Sequence, residues 1–78
     1  MAKTVGQTFK DERKKRRWTL EETAKKVDCF VYYICNIENG KRVPVNGTVT
    51  KKLCDIYGLD YDKIRIKAVK ENNARKGV

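Results

Sequence analysis

One proline and five glycines punctuate this 78-residue chain, at positions 6, 40, 44, 47, 58 and 77. Between them apolar residues recur three and four positions apart, and no stretch alternates long enough to make a strand. Short helices are what such a chain can form. The first is expected from about Gly6 to Arg17, with Val5 and Phe9 four residues apart. Lys10, Lys14, Lys15, Arg16 and Arg17 crowd its remaining surface, and Trp18 closes it. Thr19-Leu20-Glu21-Glu22 then has the form of a capping box, in which the Thr19 hydroxyl accepts from the Glu22 amide and the Glu22 carboxylate reaches back to the Thr19 amide. The helix it opens runs to about Val27. Asp28-Cys29 makes a turn, and a third helix, about Phe30 to Asn39, carries Tyr33, Ile34 and Ile37 before Gly40 stops it.

Lys41 to Gly47 reads as a basic loop around Pro44. A fourth helix, capped by Asn46 or Thr48, reaches Tyr57 with Val49, Leu53, Ile56 and Tyr57 inward, and Gly58 ends it. Asp60 caps a fifth from Tyr61 onward, where Ile64 and Ala68 lie four apart. Residues 1–70 are expected to form a single domain and residues 71–78 a frayed tail. The expected fold class is all-α, a compact five-helix bundle.

Nineteen Lys and Arg stand against ten Asp and Glu with no His, a net charge of +9. That charge points to a polyanion, nucleic acid or an anionic membrane surface. No apolar run approaches the ~18–20 residues that span a bilayer. Met1-Ala-Lys-Thr-Val-Gly6 lacks the apolar centre of a secretory signal, so a cytoplasmic protein is expected. Cys29, Cys35 and Cys54 are odd in number and widely spaced, and without His or Cys-x-x-Cys they suggest neither a disulfide framework nor a metal site. Cys35 is read as an inert thiol rather than a redox switch. The lack of His also removes the commonest general base, so no catalytic residue and no cofactor is expected.

The informative stretch is Thr19 to Pro44. Two short helices joined by a tight turn, packed through Ala24, Val27, Ile34 and Ile37, make a helix-turn-helix over about residues 19–39. The second helix of such a pair can lie in the major groove of duplex DNA and present its N-terminal side chains to base edges. Helix N-termini and loop amides hold phosphates through free N–H groups and the positive end of the helix dipole.

From about Gly6 to Ile64 the chain resembles the Cro/CI-like (XRE-type) helix-turn-helix regulators of phages and bacteria. The resemblance is carried by Thr19-Leu-Glu-Glu-Thr-Ala24, by Ile34-x-x-Ile37-Glu38-Asn39-Gly40-Lys41-Arg42-x-Pro44, and by Leu53-Cys54-x-x-Tyr57-Gly58-Leu59. It implies a bundle of the lambda-repressor-like type. It also implies that Arg13 pairs with Glu38 as a structural ion pair, and that Val31, Tyr32, Cys35 and Asn36 face bases. Thr19, Asn39, Lys41 and Arg42 are implied to contact phosphates. The chain departs from the family pattern at Leu20, where Gln is usual, at Asp28 for Gly, and at Phe30 for a capping Ser or Thr.

The expected function is that of a sequence-specific regulator of transcription, a repressor, binding double-stranded DNA at a palindromic operator as a homodimer. No membrane partner and no small-molecule ligand is expected. Tyr57, Leu59, Tyr61 and Ile64 either form a dimer patch or close the core. Two alternatives stand beside this reading. One is a protein-interaction module, an anti-repressor or inhibitor, docking through the apolar face of helix 30–39; the other is the antitoxin of a toxin–antitoxin pair.

Overall fold

Helix α1 (Val5–Lys15) starts one residue earlier than its apolar spacing suggests, because Thr4 and Gln7 form a capping box of their own. Gln7 N donates to Thr4 Oγ1 at 3.1 Å and Thr4 N donates to Gln7 Oε1 at 3.1 Å. In the computed structural model, which describes residues 3–44 and 47–76, four helices follow: α2 (Leu20–Lys26), α3 (Val31–Glu38), α4 (Gly47–Tyr57) and α5 (Tyr61–Lys76). Among the described residues there is no strand, and the chain is an all-α bundle. The cap expected at Asn46 lies outside the described residues, and Thr48 falls within the first turn of α4. Asp60 does cap α5, its Oδ1 accepting from Asp62 N at 2.9 Å.

Four helices end the same way. Arg17, Asp28, Gly40 and Gly58 each follow a helix with φ of 59°, 54°, 78° and 68°. The next residue then donates its N–H to a carbonyl five positions back: Trp18 to Arg13 at 3.2 Å, Cys29 to Ala24 at 3.0 Å, Lys41 to Asn36 at 2.9 Å, Leu59 to Cys54 at 2.9 Å. These Schellman closures turn the chain sharply enough to fold short helices back on one another. Glycine enters the left-handed region freely at 40 and 58, whereas the Cβ of Arg17 and Asp28 makes it cost about 1 kcal/mol at each.

The core takes Val5 and Phe9 from α1, Ala24 and Val27 from the second helix and its end, Ile34 and Ile37 from α3, Leu53, Cys54 and Tyr57 from α4, and Ile64 and Ala68 from α5. Tyr57 is its aromatic centre, with its ring 5.8 Å from Phe9 and 5.9 Å from Trp18. Burial pushes the Tyr57 hydroxyl up to about 12, with Thr23 beside it acting the other way. Gly6 lets α1 lie directly on the end of α3: a Cβ there would stand 2.0 Å from the Ile37 carbonyl oxygen.

One expectation changes, and one open alternative gains an observation. The stretch 71–76, expected to fray, continues α5 to Lys76. Glu71 explains the difference, since its Oε2 accepts the Val5 N–H at 2.9 Å and sets a carboxylate at the N-terminus of α1; residues 77–78 lie outside the described residues. Of the four residues weighed as a dimer patch, Tyr57 and Ile64 are buried and Leu59 and Tyr61 pack half-buried against the core. The exposed apolar side chains of α5 are Ile66 and Val69.

Candidate nucleic-acid interface

The capping box of α2 is fully formed. Glu22 N donates to Thr19 Oγ1 at 3.0 Å and Thr19 N donates to Glu22 Oε1 at 2.9 Å. The Thr19 backbone N–H is the main cause that holds the Glu22 carboxyl below its ordinary value. Leu20, next in line, is half-buried against the core. At the other end of α2, Asp28 supplies the left-handed residue of the turn. It does not cap α3. That position belongs to Phe30, whose side chain makes no capping hydrogen bond. The first-turn amides of α3 therefore lack a side-chain acceptor, the condition under which a helix N-terminus is open to a ligand.

The inward side of α3 is pinned by charge as well as by apolar packing. Arg13 Nε donates to Glu38 Oε2 at 2.8 Å and Arg13 Nη2 to Glu38 Oε1 at 3.0 Å, while Nη1 donates to the Trp18 carbonyl at 2.8 Å. Both side chains are nearly buried, 12% and 4% exposed. The Glu38 hydrogen bonds raise the hold of the Arg13 guanidinium on its proton, against the opposing pull of desolvation. This fork ties α1 to the last turn of α3, and fixes the direction in which the outward side of α3 points.

That outward side is assembled from Val31, Tyr32, Cys35, Asn36 and Asn39, which fall on one arc of the helix. Tyr32 is 76% exposed, Val31 38%, and Phe30 at the start of the helix 84%. Cys35 and Asn36 are half-buried. The Asn39 amide donates to Cys35 Sγ at 3.3 Å, so these two side chains engage one another. Lys41 and Arg42 are exposed beside the C-terminal end of α3, held there by N–H bonds to the Asn36 carbonyl at 2.9 and 3.2 Å.

The Arg42 guanidinium carbon lies 4.9 Å from the centre of the Tyr33 ring. No local pattern announces that pair, because its members sit nine residues apart and join only when the loop folds back. Thr19 stands apart from this group, at the start of α2, with its hydroxyl engaged by the Glu22 amide.

The basic run of α1 is partly consumed internally. Arg16 binds Glu12 Oε1 at 2.8 Å and the Tyr57 carbonyl at 3.0 Å, Lys15 reaches Glu12 at 3.3 Å, and Lys3 pairs with Asp11. Hydrogen bonding to Arg16 is the leading cause of the lowered Glu12 carboxyl. Among the described residues no group of three or more Cys, Asp or Glu is placed to hold a metal ion. No helix among them is long and apolar enough to cross a membrane.

Compared with known families, residues 4–65 match a helix-turn-helix domain. The chain belongs to that family. Its α2 and α3 are the helix-turn-helix pair, and Asp28 is the turn between them. Helix-turn-helix domains are DNA-binding units, which gives the chain the class of a DNA-binding regulator. Neither the curated proteins nor the solved structures yield a match.

Proposed function

We propose that this helix-turn-helix protein is a sequence-specific repressor of the Cro/CI-like type that lays α3 in the major groove of double-stranded DNA. The observation that carries the reading is the division of α3. One side is locked by Arg13, Glu38, Ile34 and Ile37, and the other presents Val31, Tyr32, Cys35 and Asn36 outward. In this reading those four face bases, with Asn36 the side chain able to form two hydrogen bonds to adenine. Thr19, Asn39, Lys41 and Arg42 face phosphates, and Tyr33 steadies the Arg42 guanidinium.

The protein acts in the cytoplasm as a homodimer on a palindromic operator, because one module makes too few contacts for a typical specific affinity of ~10⁻⁸ to 10⁻¹¹ M. Exposed Ile66 and Val69 on α5 are the contact surface proposed for the second copy. A phage or other mobile element is the proposed setting.

Selection of bound sequences from a random duplex pool tests the whole reading. Two inverted half-sites about 10 base pairs apart are the expected result. Recovery of a single unpaired half-site would remove the dimer, and recovery of no preferred sequence would remove specific recognition. The exposure of Phe30 and Tyr32 also favours a second reading, a protein-docking module. It is the outcome if random duplex DNA is not bound even at low salt.

A further inference from the structure

The proposed function leaves open which chemistry on DNA the start of α3 recognises, and the residues there are unusual. In a helix lying in the major groove the N-terminal side chains come nearest to base edges. Here they are Phe30, Val31 and Tyr32, all exposed, and the Tyr32 hydroxyl is the one polar side-chain group among them. Apart from that hydroxyl, pressing the two rings and the Val31 methyls on phosphates or on base amides and carbonyls would strip water from polar groups and return no hydrogen bond. The major groove displays one apolar group, the C5-methyl of thymine, which 5-methylcytosine also carries.

Charge along α3 agrees with that placement. Lys41 and Arg42 are exposed beside the C-terminal end of α3, while Asp28 stands exposed between Lys26 and Phe30 at its start. The two cations favour the backbone of a duplex at the C-terminal end of α3, and the docking geometry brings base edges to its N-terminal side chains. A protein partner would have to cover the apolar trio on a molecule of net charge +9, with the two cations at the same helix.

We infer that Phe30, Val31 and Tyr32 form an apolar reading edge for pyrimidine C5-methyl groups, so that this protein recognises thymine by its methyl rather than by a hydrogen bond. The inference rests on the DNA-binding reading above.

Uracil substitution isolates the methyl, since uracil keeps every hydrogen-bonding group of thymine. On the duplex recovered from the random pool, each thymine is replaced in turn by uracil and affinity is measured. At least one position should lose about fourfold, the effect of burying one methyl's worth of apolar surface. At that step, 5-methylcytosine paired with guanine should bind more tightly than cytosine paired with guanine. Tyr32→Ser, Val31→Ser or Phe30→Ser, checked for helix content by circular dichroism, should bind the thymine and uracil duplexes alike in at least one case.

Sequence-selective binding that ignores uracil at every position overturns the inference and leaves the DNA reading standing. A uracil effect retained in full by all three variants overturns it too, because the methyl is then contacted elsewhere. If no sequence is selected, specific recognition fails and the inference falls with it.

Discussion

The two sides of α3 are built on opposite principles. Inward, every polar group is paired and every apolar one covered: Ile34 and Ile37 are buried, and Glu38 is held by two bonds from Arg13. Outward, Phe30, Val31 and Tyr32 are left open to solvent, and the side-chain bond along that arc is the one from Asn39 to Cys35. On the proposed function, the contrast separates stability from recognition along one short helix. Changes on the inner side should act on folding, and changes on the outer side on what is bound.

The sharpest break is at the ion pair. Arg13→Ala or Glu38→Ala strands a nearly buried charge and should cost about 3–5 kcal/mol, read by urea or thermal unfolding. Tyr32→Ser and Asn36→Ala, on the other side of the helix, should stay within about 0.5 kcal/mol of the parent. Equal losses on both sides would erase the distinction.

A second inner-side test uses the contact between α1 and α3. Gly6→Ala drives a methyl to within 2.0 Å of the Ile37 carbonyl oxygen unless the helices part, so a loss of about 1–3 kcal/mol is expected in the same unfolding assay. The turn before α3 should respond in the opposite direction. Asp28→Gly relieves a left-handed residue and should stabilise by about 1 kcal/mol. A destabilised variant would show that the Asp28 side chain supports the turn in a way its backbone geometry does not account for.

What was legible in the sequence follows the range of each interaction. The Thr19 capping box, the stop at Gly40 and the spacing of Ile34 and Ile37 are completed within one or two turns, so a pattern of neighbours suffices to read them. The Arg13–Glu38 fork spans 25 positions, and only the resemblance to known regulators suggested it. The stacking of Arg42 on Tyr33 and the bond from Val5 N to Glu71 depend on how the chain returns on itself, which periodicity does not encode. The capping box of Thr4 and Gln7 is local too, a Thr-x-x-Gln that places the start one residue before Gly6. The turn at Asp28 illustrates a subtler loss. An aspartate is a familiar helix cap, and its use here as the left-handed residue appears only in the backbone angles.

The central claim is that the outer side of α3 and its adjoining loop meet the backbone and bases of duplex DNA. Its most direct test is the salt dependence of binding to a random duplex, compared with the variant carrying Lys41→Ala and Arg42→Ala. The logarithm of affinity should fall linearly with the logarithm of salt concentration, through release of counterions from the phosphates. The double variant should bind every sequence more weakly, with a slope reduced by up to about two units. An unchanged slope in the variant would take that loop out of the interface, and no binding by the parent at low salt would contradict the account itself.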